Sequence, residues 1–531
     1  MSKFLVPTAS FVLAGLSVLS AIAAAPLPPI QQVEIGKNAE FRVNGQPFLP
    51  LMLWLQSEAR IPDGLAIGAN TFTGNGGKLG NREYLKALAD NGLYGIVDFD
   101  PEAGGQSHLL GWIHGDEPDL AKQVSDAEVL PGAGLRLNSS TPLFRIVDGV
   151  AHSWTVLDPL QDAEVTVKLA KPVTVKSLGV WLTVSAGLAV AKDVSFTAEG
   201  QGILNATLKN EKGEQHFDLE KPATFSSLTF RVRSTYPGEQ VWGSLSELSG
   251  YDEAGDNVLL SPPRWVPRSA PEEVSAEYRK IKQADPTRPV LVTFTAHFMK
   301  EFTDKYDQAT QEKLYPEFMN SCDVAGYDIY PIFGWNKPEW LYRVADGVSE
   351  LRALAGPKRP VYAWIETNKG SQWVAPDRQL DVTPKDTRAE VWMALIRGAT
   401  AIGYFTHRWK PDYKQFAPEG EMVAALKRLN DQLTRLAPAL LAAPAATRIE
   451  MKLSDDLPCH FKATSHEGAL WIFAQNMDMQ KRTGTATFRV DGLKAGAKIE
   501  EVDEGRSLTA GDAVFTDQFE GLAEHVYRLA E

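Results

Sequence analysis

Apolar positions fall along this chain in two rhythms. From residue 51 onward, short runs that are apolar at nearly every position alternate with stretches in which apolar residues recur every three or four positions. "FLPLMLW" is the first such run, after an alternating hairpin pattern in "QVEIGKNAEFRVNGQPFLPLMLW" that turns at Asn44-Gly45. "GANTFT" (68–73) precedes a helical stretch around 81–91, and "YGIVDFD" (94–100) and "LLGWIHG" (109–115) come next. After a long interruption the rhythm resumes with a helix over 271–289 and a strand at 290–295. A helix near 307–319, the strand "CDVAGYDIYP" (322–331) and a helix near 338–354 follow. "PVYAWIET" (360–367), a helix over 387–399, "AIGYFTH" (401–407) and a long helix over 420–437 complete the series. Eight apolar strands alternating with helices predict a parallel sheet buried on both faces, closed as a (β/α)8 TIM barrel of the α/β class. No glycine-rich phosphate loop follows the first strand, which counts against a nucleotide-binding sheet.

The second rhythm is strict alternation. Residues of roughly 120–268 form short alternating segments such as "DAEVTVKLAKPVTVKSLGVWLTV", "KDVSFTAEG", "ILNATLKN" and "SLTFRVRS", with turn residues between them, which predicts an all-β sandwich. It interrupts the barrel between the fourth strand and the next helix. "ALWIFAQNM", "GTATFRV", "KIEEVDEG" and "HVYRLAE" predict another sandwich at the C-terminus. The expected organisation is a leader at 1–24, a barrel from 25–119 and 269–442, an inserted β-sandwich at 120–268 and a C-terminal β-sandwich at 443–531.

Candidate chemistry follows from the barrel, because active sites of such folds lie at the carboxyl ends of the strands. Polar residues there are Gln56, Asp98 and Asp100, Asp116 and Glu117, Asp328 and Tyr330, Glu366, and His407. In "LLGWIHGDEPDL" the apolar run stops at Asp116-Glu117-Pro118, since Pro118 cannot extend a ladder and biases Glu117 away from helix. An acidic helix start, favoured by the helix dipole, is the competing reading of that stretch. Glu117 and Glu366 thus emerge from the fourth and seventh strands, which can aim two carboxyls across a barrel mouth. Glycosidic bond cleavage needs such a pair, one protonated to serve the leaving oxygen and one ionised to attack or to activate water. A structural pairing of Glu366 with Arg397 or Arg408 is the alternative. Trp54, Trp335, Trp373 and Trp409 lie at or after strand ends, where indoles can stack on sugars or simply pack. His114 is expected to orient a neighbour.

These segments resemble the clan A glycoside hydrolases. "FRVNGQPFLPLMLW" is similar to the opening of such barrels, "GWIHGDEPD" and "YRKIKQADPTRPV" to their fourth-strand region and next helix, and "VAGYDIYP" and "VYAWIET" to their sixth and seventh strands. The resemblance implies hydrolysis of O-glycosidic bonds in a poly- or oligosaccharide, with Glu117 as acid/base and Glu366 as nucleophile. Carboxyls about 5–5.5 Å apart would then give a retaining double displacement. It also implies that Tyr330 hydrogen-bonds the nucleophile. Trp54, Asp98, Asp116, Asp328, Tyr330, Trp373, His407 and Trp409 are the candidate substrate-binding residues. Asp116 departs from the asparagine usual before the acid/base; an ionised aspartate can only accept hydrogen bonds, which leaves room for an atypical substrate or a site that does not turn over. The inserted unit, through "FRIVDGVAHSW" and "LSELSGYDEAG", resembles a discoidin (coagulation-factor C-type) sandwich, which could hold glycan or wall the cleft. No aromatic cluster stands out in its loops.

Composition narrows the partners. At 531 residues, 44% hydrophobic and 23% charged, the chain has the make-up of a soluble globular protein. A net charge of −13 argues against nucleic acid and anionic membranes. "MSKFLVPTASFVLAGLSVLSAIAAAPLPP" carries Lys3, an apolar stretch and Ala21-Ile22-Ala23, which predicts a cleaved signal peptide and a secreted or periplasmic protein with no membrane span after cleavage; a retained anchor is the alternative. Cys322 and Cys459 make no disulfide framework, and no Cys/His spacing suggests a metal, so neither metal nor cofactor is expected. A non-catalytic glycan-binding protein on a degenerate barrel is the rival from another class. A metal-dependent hydrolase is weaker, for want of histidines at strand ends.

Overall fold

The computed structural model describes residues 26–530, so the predicted leader falls outside the described residues. The chain divides into two units, one formed by Met1–Pro118 with Ser269–Glu531 and the other by Asp119–Arg268.

In the first unit eight parallel strands close into a barrel. They are β1 (Leu51–Gln56), β2 (Thr71–Asn75), β3 (Tyr94–Asp98), β4 (Leu109–Ile113), β5 (Val290–Phe294), β6 (Val324–Asp328), β7 (Val361–Glu366) and β8 (Ala401–Phe405). Strands β4, β5, β7 and β8 are buried at every position, as strands covered on both faces must be. The helices are α1 (Ile61–Ala66), α2 (Asn81–Asp90), α3 (Pro271–Ala284), α4 (Gln308–Phe318), α5 (Arg343–Ala355), α6 (Pro384–Ile396) and α7 (Glu421–Leu440).

Between β3 and β4, where no helical stretch was assigned, the chain makes a 3-10 turn, Pro101–Ala103, because the connection is too short for a helix and its linkers. The pattern misled at two helix ends. Helix α3 stops at Ala284, where Asp285 turns extended ahead of Pro286. Helix α7 continues past 437 to Leu440; Pro438 sits in its last turn, and the Leu441 N–H still bonds the Ala437 carbonyl.

Large side chains fill the barrel above glycines. A Cβ on Gly326 would lie 2.0 Å from the Tyr362 ring, and one on Gly403 would lie 2.1 Å from the Trp364 ring. Tyr362 and Trp364 hydrogen-bond Thr293 Oγ1 at 2.8 and 3.2 Å, and the Trp364 ring lies 5.1 Å from that of Trp54. These contacts anchor β7 just below Glu366.

A six-stranded and a three-stranded sheet from residues 443–530 pack over the helix side of this unit. Their own core includes Phe488 stacked on Phe515 at 4.5 Å. Trp392 of α6 lies 6.2 Å from Phe473, and the Gln475 amide donates to the Ala389 carbonyl at 3.1 Å. Helix α6 is therefore enclosed along nearly its whole length.

The second unit is a seven-stranded antiparallel sheet system with a separate core that includes Val165, Val180, Phe196 and Phe230. Two long strands, Glu164–Leu182 and Gly213–Val232, replace several of the short ones expected. Register shifts at Lys168/Val173 and Val175/Ser177 let one continuous strand bend where the pattern suggested a break. An antiparallel stem, Ala121–Val124 with Arg264–Pro267, closes the unit at its ends. No helix of the described residues is long and apolar enough to cross a membrane.

Candidate active site

The carboxyl ends of the strands hold their polar residues in unequal settings. Strand β4 ends at Ile113, and no helix begins at the acidic residues that follow, so the helix-start reading of "GDEPDL" falls. Asp116 is exposed, while Glu117 is half-buried with φ +47°. A non-glycine residue in the left-handed region carries strain, which at a candidate catalytic carboxylate is a pointer to function. Leu55, between Trp54 and Gln56 at the end of β1, shares this conformation at φ +48°.

Glu366, ending β7, has no exposed surface. Its Oε1 accepts from the Ile332 amide at 2.9 Å, and its Oε2 from the amides of Ile332 and Phe333 at 3.2 and 2.6 Å. These donors favour the ionised form, but burial outweighs them and pushes the carboxyl up to about 7. Neither arginine foreseen as a structural partner holds it; Arg408 bonds Asp412 at 2.7 Å. The hydrogen bond expected from Tyr330 is also replaced, since backbone amides of the loop after β6 do that work.

Tyr330, just after β6, is buried. Burial raises its phenol well above the usual range, and the charges of Asp328, Asp116, Glu117 and Glu366 raise it further. Groups from the ends of β4, β6 and β7 thus act on one hydroxyl. Burial also raises Tyr362, deeper in the barrel, and Asp116 and Asp328 add to the effect. Asp98, at the end of β3, keeps an exposed side chain, although the protein packed about it raises its carboxyl.

The rim from β8 back to β1 is aromatic. His407 is buried, its ring 6.0 Å from Trp409, 5.9 Å from Tyr413 and 5.2 Å from Phe405. Burial lowers its pKa to about 4, so it is neutral at pH 7. The Leu55 backbone acts on it without a hydrogen bond of ordinary geometry, and neither ring nitrogen has a partner among the described residues. Gln56 Oε1, Thr73 Oγ1 and Trp409 Nε1 are likewise buried and without partners. Each such atom costs about 1–3 kcal/mol unless something bonds it. Trp54 is half-buried against Trp364, whereas Trp373 is 58% exposed with its ring edge-on to Phe333 at 6.1 Å. Trp335 belongs elsewhere, packed with Phe302 and Trp340. His114 is structural, bonding the Ser321 carbonyl at 2.7 Å beside Tyr278.

Three features escaped the reading of the sequence. The amides of Ile332 and Phe333 carry no sequence signal. Glu390, fully buried on α6 beside Glu366, is a lone carboxylate in the apolar run "AEVWMALI", and that oddity was legible. In the inserted unit, Phe144, Arg145, Asp148, His152, Trp154 and Pro263 line a cavity of about 400 Å³, with Trp154 47% exposed. Phe144, His152 and Trp154 all fall within "FRIVDGVAHSW", so this cluster was legible in the sequence. The C-terminal sandwich brings Glu501, Asp517 and His525 together, but Arg506 lies among them and bonds both Asp517 oxygens at 2.8 and 3.0 Å.

No protein-family model matches the chain, and no curated protein matches it. Solved structures match parts of it. The family 32 carbohydrate-binding module from Clostridium perfringens NanJ, in complex with galactose, is 12% identical over 24% of this chain and 97% of that one, with a TM-score of 0.20. An Anoxybacillus alpha-amylase is 11% identical over 50% of this chain and 57% of its own, with a TM-score of 0.33. The structure of SpGH29 is 15% identical over 24% and 26% of the two chains, with a TM-score of 0.20. The solved structures similar to this chain therefore include carbohydrate-binding modules and glycoside hydrolases.

Proposed function

We propose that this chain is a secreted glycoside hydrolase that cleaves O-glycosidic bonds of a poly- or oligosaccharide with retention. Glu117 serves as acid/base and Glu366 as nucleophile. What supports this reading is a closed barrel with Glu117 just past the end of β4 and, at the end of β7, a Glu366 carboxyl held by the amides of Ile332 and Phe333. Glu117 protonates the leaving oxygen while Glu366 attacks the anomeric carbon, and Glu117 then activates the water that releases the sugar. The amides of Ile332 and Phe333 stabilise the charge on Glu366 before attack and after release. Trp54, Trp373 and Trp409 offer ring faces to the sugar. Residues 120–268 act as a module whose Trp154 cavity takes a sugar ring.

A second reading, a glycan-binding protein without turnover, is favoured by one observation: Glu366 has no exposed surface and both its oxygens are engaged. A broad glycan hydrolysis screen of the native chain beside Glu366→Gln separates the two. Hydrolysis lost in the variant supports the first reading, and binding without hydrolysis by the native chain supports the second.

A further inference from the structure

The proposed nucleophile has a neighbour that the reaction does not use. Glu390 sits on α6 with no exposed surface, between Ala389 and the buried run Val391–Ile396. Isolated charge is not tolerated in such surroundings unless it is paired or neutralised. The cations nearest along the helix serve others: Lys481 bonds Asp386 at 3.2 Å, and Arg388 bonds Glu524 at 2.8 Å. Neither Glu390 oxygen has a hydrogen bond of ordinary geometry among the described residues, although the Glu366 backbone acts on it. The Glu366 carboxyl acts on it, and Thr387 of the same helix reaches the Glu366 carbonyl at 3.0 Å; two carboxyls hydrogen-bond only when one keeps a proton. Glu366 already receives the amides of Ile332 and Phe333, so the negative charge belongs there and the proton on Glu390. Thr387, one turn earlier on α6, donates to the Glu366 carbonyl at 3.0 Å and ties the helix to the strand end.

We propose that Glu390 is a positioning residue that stays protonated, donates to the Glu366 carboxylate, and thereby sets that group's placement and the pH at which it ionises. This rests on the reading of Glu366 as nucleophile. The charged and titratable groups facing the pair are Asp386 on α6, Tyr330 after β6 and Tyr327 within β6. Burial raises both glutamates, Glu390 further than Glu366, and Asp386 adds to each. Groups raised on folding contribute stability that is complete below their unfolded values and is lost as pH rises through the folded ones. The pair should therefore make the fold weaken as pH climbs from 5 to 9.

The test uses the full chain as native protein, Glu390→Gln and Glu390→Leu. The native acid limb of kcat/KM on an activated aryl glycoside should lie near 7. Glu390→Leu, which removes the donor, should move that limb to higher pH and lower kcat about tenfold or more with little change in KM. Glu390→Gln, whose amide still donates, should restore the limb and most of kcat. A limb that stays in place in Glu390→Leu, or a glutamine variant that behaves like the leucine one, overturns the proposal. If the native chain hydrolyses no glycoside, the reading of Glu366 fails instead, and thermal unfolding judges the pair alone. The native Tm should then fall from pH 5 to 9 more steeply than that of Glu390→Gln, and parallel curves overturn proton sharing. Should neither variant fold, the infrared band of protonated carboxyl decides, read in a chain carrying Glu247→Gln and Glu501→Gln because burial raises those two carboxyls to about 8 and 9: its persistence above pH 7 supports the pair and its absence overturns it.

Discussion

The ends of β4 and β7 each carry a glutamate, and the protein treats them in opposite ways. Glu117 is half-buried on a backbone in the left-handed region, with an exposed aspartate before it and a proline after it. Glu366 is sealed, held by two amides and backed by a helix that a second layer covers. The difference teaches how one fold can give two carboxyls opposite environments, as the proposed pair of roles requires. A group that must exchange protons with solvent and leaving group belongs at the accessible end, and one that must hold charge in a fixed place belongs where donors are built in.

The comparison breaks most completely at β7. Glu366→Gln keeps the shape and removes the attacking charge, so hydrolysis should fall by about a thousandfold or more while folding and glycan binding persist. Steady-state rates beside a binding isotherm check this; a comparable rate in the variant excludes Glu366 as nucleophile.

At β4 the effect should depend on the substrate. Glu117→Ala should slow substrates with poor leaving groups by about 10²–10⁴-fold, and activated aryl glycosides far less, because these need little protonation to depart. Added azide should speed turnover of the trapped glycosyl-enzyme. Equal losses on both substrates, with no rescue by azide, would make Glu117 a structural acid.

Away from the barrel, Trp154→Ala should weaken glycan binding by the second unit about tenfold, the worth of one stacked ring. Calorimetric titration reads the loss, and cleavage of a short aryl glycoside should be unchanged. Unaltered affinity would remove that cavity from the account. The smallest effect is expected on the barrel's own stability: replacing 121–267 with a short linker should shift its Tm by only a few degrees, because the inserted unit has a separate core. Circular dichroism on the shortened chain tests this, and a barrel that does not fold would show that the two units are not independent.

Local pattern determined a good deal of this protein. Apolar runs such as Leu109–Ile113 and Ala401–Phe405 announce strands buried on both faces, and alternation in Asp193–Ala198 announces a sheet with one wet face. Both follow from the period and hydrophobicity of the side chains, which are written residue by residue. Strand ends then name Glu117, Tyr330 and Glu366 as candidates. Tertiary structure decided their environments, because burial and electrostatics depend on neighbours distant in sequence. The amides that bind Glu366 come from 34 and 33 residues away and carry no side-chain signal. Glu390 faces Glu366 only because α6 folds back on β7, and it is dry only because residues 443–530 cover that helix. The left-handed turn at Glu117 and the unpartnered nitrogens of His407 are likewise products of closure. Sequence period can place a carboxyl at a strand end, but its charge is set by what packs against it.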